Sequence, residues 1–263
     1  MATSRREFLQ IGGAAAAAAA LGTRALAQAE PTVGLIFPQL NYPIPPDAKQ
    51  LFPSGLRFIS NGVGLPGGMT YEGYEEAIPR VMPRAADLAR EGADLISVFG
   101  SSITFYRGAE FNKQLTDQVT ALTGLPATTQ SNGLVDGLKH VNARRVAVAT
   151  AYTDEVTQRL KIFLEEHGFQ IVSAKGLGYV QIPAGAATQP ILHELGVAAY
   201  SASNKADALV MSCGALRTLD LIVPLEADIG VPVVSSTPHG LWHCARMVGL
   251  DARIDGFGMV MAA

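Results

Sequence analysis

Cysteine is scarce in this chain: Cys213 and Cys244 are the only two in 263 residues. So few thiols exclude a disulfide-dense scaffold and a multi-cysteine metal site. Charge is thin too, with 16% Asp, Glu, Lys and Arg and a net charge of −3. No basic run exceeds a pair such as Arg144-Arg145, so the clustered face that nucleic acid requires is missing and no such partner is expected. The five histidines (His140, His167, His193, His239, His243) are scattered, and only His239 and His243 share i,i+4 spacing. No Asp or Glu completes a zinc motif beside them, so they read as a helix-surface pair and no metal is expected. Gly62, Gly64, Gly67 and Gly68 lack the strand-to-helix context of a dinucleotide fingerprint. No cofactor is expected at all.

Beyond the leader there is no apolar run long enough for a bilayer span. What the chain has is a hydrophobic fraction of 48%, ample for a core. It also has an export signal. Ser4-Arg5-Arg6-Glu7-Phe8-Leu9-Gln10 is a twin-arginine signature, followed by an alanine-rich run over residues 11–21 and a small-x-small pattern at Ala25-Leu26-Ala27. Residues 1–29 are therefore read as a signal peptide handled by the twin-arginine translocation machinery. The apolar run is short for an anchor, so no stable membrane insertion is expected after cleavage, and the mature chain is expected in the periplasm. Two cysteines in an oxidising compartment permit one disulfide. A strand end suits Cys213 poorly for that bond, and Cys244 reads as helix packing.

Strand and helix signals alternate along the rest. Strands are expected over residues 32–38, 56–60, 95–99, 125–129, 145–152, 169–173, 208–212 and 231–236. Helices are expected over residues 71–90, 112–122, 132–141, 155–167 and 190–201, with a closing helix from His239. Thr70 is the N-cap of the first helix, which Pro79 and Pro83 should kink or break. Residues 41–53 read as an irregular proline-rich loop, and residues 176–185 as a glycine-rich connection. Such alternation implies an α/β class: two similar lobes, each a parallel sheet flanked by helices, with the active site in the cleft between them. The lobes are placed at residues 30–130 and 131–237, with residues 238–263 returning to complete the first.

Two strand ends carry the chemistry. Ala208-Leu209-Val210-Met211-Ser212-Cys213-Gly214 and Asp94-Leu95-Ile96-Ser97-Val98-Phe99-Gly100-Ser101-Ser102 are both apolar runs that stop in small residues. In open parallel sheets, ligands bind outside such carboxyl ends. From the first stretch alone, Cys213 reads first as a buried structural thiol and only second as a reactive one.

Four longer segments resemble the aspartate/glutamate racemase superfamily, and within it the arylmalonate decarboxylases. They are Phe99-Gly100-Ser101-Ser102-Ile103-Thr104-Phe105-Tyr106-Arg107-Gly108, Val148-Ala149-Thr150-Ala151-Tyr152-Thr153-Asp154, Leu209 through Asp220, and Gly230-Val231-Pro232-Val233-Val234-Ser235-Ser236. Racemases of that superfamily, and its maleate isomerases, set one cysteine on each lobe. This chain resembles the decarboxylase branch, because Gly100 stands where the first-lobe cysteine would be. Ser101 replaces a threonine of that branch and keeps the hydroxyl.

The resemblance implies cofactor-independent decarboxylation of a substituted (aryl)malonate, a small carboxylate, through an enediolate that Cys213 protonates. Charge on the enediolate calls for aimed donors. Ser101, Ser102 and Tyr152, with backbone at Gly100 and Gly214, are assigned to it. Pro38, Leu65, Met69 and Ile182 are the apolar candidates around the departing carboxylate, with Tyr74 a further candidate in the pocket. Two other functions stay open: a racemase or cis-trans isomerase of a small dicarboxylate or amino acid, and a non-catalytic periplasmic carboxylate-binding protein.

Overall fold

The computed structural model describes residues 30–203 and 205–263; the signal-peptide reading of residues 1–29 lies outside them. The first half runs β1 (Thr32–Phe37), α1 (Pro46–Leu51), β2 (Arg57–Gly62), α2 (Tyr71–Ala77), α3 (Val81–Arg90), β3 (Leu95–Val98), α4 (Ser101–Phe105), α5 (Ala109–Thr123), β4 (Ala127–Thr129) and α6 (Gln130–His140). The second runs β5 (Arg145–Tyr152), α7 (Asp154–Glu166), β6 (Gln170–Tyr179), α8 (Gln189–Ser201), β7 (Ala208–Ser212), α9 (Leu219–Ile229), β8 (Val233–Ser235), α10 (Ser236–Met247) and α11 (Met259–Ala262). No described helix is long and apolar enough to cross a membrane.

The strands form two parallel four-stranded sheets of identical topology, β2-β1-β3-β4 and β6-β5-β7-β8. β1, β3 and β7 are buried along their whole length, which is why they appear in the sequence as unbroken apolar runs: a parallel strand covered on both faces has no polar side. In each sheet the chain crosses to one edge and then returns past its first strand, so the strand order reverses between β1 and β3, and again between β5 and β7. Ligands bind at the carboxyl ends of such switch points. Ile36 pairs with Val98 and Thr150 with Ser212, so Pro38, Gly100 and Cys213 emerge just beyond level strand ends and Tyr152 closes its own.

Helix boundaries follow local chemistry. The Thr70 hydroxyl accepts from the Gly73 N–H at 3.1 Å, and the helix it opens breaks at a 3₁₀ turn, Ile78–Arg80, that contains Pro79. The Thr153 side chain caps α7 through Val156 N–H in the same way. Two stretches differ from expectation. Residues 41–53 contain α1, because Pro46 occupies a first-turn position where a missing N–H costs nothing. β6 runs on to Tyr179 through the glycines expected to be a connection. It is an edge strand with register shifts against β5, and an edge strand needs neither apolar faces nor an unbroken ladder.

The histidine pair on α10 is a correction. His239 is fully buried, and His243 is half-buried, bonded to Thr128 Oγ1 (2.9 Å) and Asp136 Oδ2 (3.0 Å). That face of α10 lies on α6, not in solvent, because the two backbones meet closely: a Cβ on Gly133 would stand 2.8 Å from Gly240 Cα. Burial pushes the His239 imidazole down to about 4, so it is neutral.

Glu226 on α9 ties the end of the chain to the second sheet. Its buried carboxylate accepts from Val233 N–H at 2.9 Å and Met259 N–H at 2.8 Å. Glu226→Ala would orphan both donors, an expected loss of about 2–3 kcal/mol. Thermal unfolding of the variant should fall by roughly 5–10 °C; an unchanged midpoint would mean that water replaces the carboxylate at no cost.

Candidate active site

The ends of β1, β3 and β7, with the segment after β2, surround a cavity of about 400 Å³, mouth included, lined by thirteen residues of which none is Lys, Arg or His. One side is polar: Gly100, Ser101, Ser102, Cys213 and Gly214. The other is apolar and aromatic: Phe37, Pro38, Tyr42, Leu65, Met69 and Phe99. No group of three or more His, Cys, Asp or Glu suited to a metal occurs among the described residues.

Behind the polar side stands a hydroxyl cluster drawn from both sheets. Ser101 Oγ lies 3.0 Å from Tyr152 OH and 3.1 Å from Ser236 Oγ, and accepts from Ser212 Oγ at 3.4 Å. Its backbone is pinned as well. The Ser101 carbonyl accepts from Thr104 Oγ1 and Ser131 Oγ, each at 2.9 Å, and those two hydroxyls meet at 2.6 Å. On the opposite strand end, Cys213 N–H donates to Ser236 Oγ at 3.2 Å. Thr237 Oγ1 donates to the Gly214 carbonyl at 3.0 Å and accepts from Gln130 Nε2 at 3.2 Å. Both faces of the site are therefore held by buried side chains and not left to loops.

Cys213 itself is 4% exposed, and its Sγ touches Met69 Sδ at 3.9 Å. Burial pushes its thiol up to about 11, against weaker opposing pulls from the Ala215 N–H, the Tyr152 hydroxyl and the Leu216 N–H. With no cation on the cavity wall the thiol stays protonated at neutral pH. Cys244 is the other free cysteine, fully buried on α10 and pushed up to about 12 by burial; the two form no disulfide. Alkylation reads this directly. A thiol near 11 is about 0.1% thiolate at pH 8, against roughly 10% for an ordinary cysteine near 9. Iodoacetamide should label Cys213 about a hundredfold more slowly than a free model thiol, with the rate rising as pH climbs towards 11. Rapid labelling at pH 7 would mean that the thiol is activated.

Of the residues singled out in the sequence, Pro38, Leu65, Met69, Gly100, Ser101, Ser102, Cys213 and Gly214 come together around this cavity. Tyr152 is fully buried one layer behind, beside Ser101. Tyr74 does not line the cavity. α2 turns it inward against Tyr106, with ring centroids 5.2 Å apart, and its hydroxyl is buried. Burial raises its pKa, while the neighbouring Ser102 hydroxyl lowers it. Ile182 is also absent from the lining. Its segment meets the cavity residue Met69 through the Val180 carbonyl, which accepts from Met69 N–H at 2.7 Å. Ser212, Ser236, Tyr42 and Phe99 were not singled out. Ser236 had a signal, since Ser235-Ser236 closes an apolar strand as Ser212-Cys213 does.

An arylmalonate decarboxylase family model matches residues 33–261. The chain belongs to the arylmalonate decarboxylase family. It is 42% identical over 230 residues to the arylmalonate decarboxylase of Bordetella bronchiseptica, covering 87% of this chain and 95% of that one. A crystal structure of a glycine-to-cysteine, cysteine-to-serine double mutant of arylmalonate decarboxylase in the liganded form superposes with a TM-score of 0.84 at 40% identity, covering 88% and 98% of the two chains. The Nocardia farcinica maleate cis-trans isomerase, captured with a covalently bound succinylcysteine, has a TM-score of 0.79 at 20% identity over 88% and 98%, a likeness of fold alone. A twin-arginine signal model matches residues 2–22, so the family fold is preceded here by an export signal.

Gly100 marks where the family's chemistry and this geometry meet. Its backbone is extended (φ −160°), so glycine is not required by conformation. It is required by contact: a Cβ there would come within 2.5 Å of Pro38 Cγ. The first sheet's strand end therefore presents backbone where the second presents a thiol.

Proposed function

We propose that this protein is a cofactor-independent carboxy-lyase that releases carbon dioxide from aryl-substituted malonates and protonates the resulting enediolate from Cys213. The observation that supports this best is a single un-ionised thiol set beside a cluster of hydroxyls in a cavity whose other side is apolar. One malonate carboxylate rests against Ser101, Ser102 and the Gly214 backbone, and the other points towards Leu65, Met69 and Pro38. A hydroxyl donates once and accepts twice. Ser101 Oγ meets the Tyr152, Ser212 and Ser236 hydroxyls, so its one proton turns to the anion by leaving Ser236 Oγ when substrate binds.

The carbon–carbon bond to the carboxylate on the apolar side breaks, and carbon dioxide leaves. Its electron pair passes to the α-carbon and spreads over the remaining carboxylate. The Cys213 proton then moves to the α-carbon. The thiolate left behind is held by the Ala215 and Leu216 N–H groups and the Tyr152 hydroxyl until solvent returns a proton. A racemase or isomerase would want a second acid/base across the cavity, and Gly100 supplies none. The leader directs the chain through the twin-arginine route to the periplasm, where the buried thiol avoids ready oxidation.

A panel of malonates and dicarboxylates tests this reading, assayed for gas release and for solvent deuterium entering the α-carbon of product acids. Gas release from phenylmalonate with slow product exchange is expected. Exchange at the rate of turnover, or loss of optical rotation without gas, would replace it with the isomerase reading; tight binding with neither would leave a binding protein.

A further inference from the structure

The malonate reading uses the hydroxyls and Pro38, Leu65 and Met69, and leaves the three rings of the cavity wall, Phe37, Tyr42 and Phe99, without a role. Tyr42 lines the cavity from the segment after β1, with its ring 4.9 Å from Phe37, which in turn meets Phe99 at 5.5 Å in an edge contact. Phe37 and Phe99 are buried, whereas Tyr42 is half-buried. The three rings run from the core to the mouth, and Tyr42 is the outermost.

Its surroundings fix where it stands. Burial lifts the Tyr42 phenol above its usual value, Cys213 and Asp47 raise it further and Arg217 lowers it. Arg217 follows the Cys213 turn, in which Leu216 N–H donates to the Cys213 carbonyl at 3.1 Å. Tyr42 and Cys213 thus line the same cavity, with the half-buried ring at its outer end. The segment is also stiff. Pro43, Pro45 and Pro46 fix its backbone, Pro46 opens α1, and α1 buries Ala48 and Leu51 where it meets α10. A wall held in place before the ligand arrives loses little freedom on binding.

Leu65, Met69 and Pro38 bury an alkyl group as readily as a ring. An aromatic face differs, because edge and offset contacts with a second ring add to simple burial. We propose that Tyr42 is a specificity-determining residue, the wall that makes this site favour ring-bearing over alkyl α-substituents on the malonate; the inference rests on the decarboxylase reading above.

The test compares phenylmalonate with methylmalonate, equal in charge and different in the ring. In Tyr42→Ala, the phenyl-to-methyl ratio of kcat/KM should fall about tenfold, chiefly through KM, while Tyr42→Phe should keep it within about twofold of wild type. An unchanged ratio in Tyr42→Ala, or an equal collapse in Tyr42→Phe, overturns the assignment. Calorimetric binding of the two malonates to Cys213→Ala and to Cys213→Ala/Tyr42→Ala reads the same preference without any chemistry. If wild type releases no gas from either malonate, the decarboxylase reading fails and the binding ratio still decides the role of Tyr42.

Discussion

Cys213→Ser is expected to lower kcat for phenylmalonate by about a hundredfold to ten-thousandfold, the range that a positioned general acid contributes, while KM changes by only a few fold. Serine fills nearly the same space and keeps the backbone donor to Ser236 Oγ, so the cavity survives. What changes is acidity. A thiol pushed up to about 11 is still a far stronger acid than an alkyl hydroxyl, and the Ala215 and Leu216 N–H groups that hold a thiolate have no comparably stable alkoxide to hold. The loss should therefore fall on the chemical step. Steady-state rates of gas release with both chains, and the proton inventory of the product in mixed water, measure it. A variant that keeps wild-type kcat would mean that water protonates the enediolate and that the thiol is packing, the bland reading that the sequence alone left open. The sign of the pH dependence follows from the same burial. The thiol is un-ionised below about 9, so its contribution should hold across neutral pH and disappear as pH rises through 11.

Much of this was legible before any coordinates. β3 and β7 stand out because continuous burial forces continuous apolar sequence, and their sharp stops in Gly100-Ser101 and Ser212-Cys213 mark the switch points. The illegible parts share a cause. Whether a helical or loop side chain lines a cavity or stands behind it depends on what the other sheet places opposite, and periodicity carries no such information. Tyr74 and Ile182 were both expected at the cavity. One turns its ring into the core beside Tyr106, and the other stays off the wall, where Met69, bonded through its N–H to the Val180 carbonyl, stands instead. Tyr42 went unmarked because its proline-rich surroundings suggest only a loop. His239 and His243 read as surface because a polar i,i+4 pair usually is, until Gly133 and Gly240 let α6 cover that face. Edge strand β6 was legible only at its start, residues 169–173, since an edge strand can run on through glycines without an apolar pattern.

The hydroxyl cluster makes a second large prediction. Ser101→Ala and Tyr152→Phe should each reduce kcat by about a hundredfold to a thousandfold, the usual cost of removing one donor from a developing oxyanion. The two should not add. Tyr152 OH sits 3.0 Å from Ser101 Oγ and is fully buried behind it, so most of its effect on the anion passes through that serine, although it also reaches the Cys213 sulfur. Once Ser101 loses its hydroxyl, Tyr152 has only its pull on the thiol left to give, and the double variant should be little worse than the poorer single one. Independent donors would instead multiply, to roughly ten-thousandfold or more. Stability must be read beside rate, because each substitution strips a partner from a buried group, at about 1–3 kcal/mol. Thermal midpoints for the three variants separate the two effects. A folded Tyr152→Phe chain with undiminished kcat would show that Ser101 needs no second hydroxyl to orient its proton. A fully multiplicative double variant would place Tyr152 on the anion itself, with its hydroxyl rotated from Ser101 into the cavity when substrate binds.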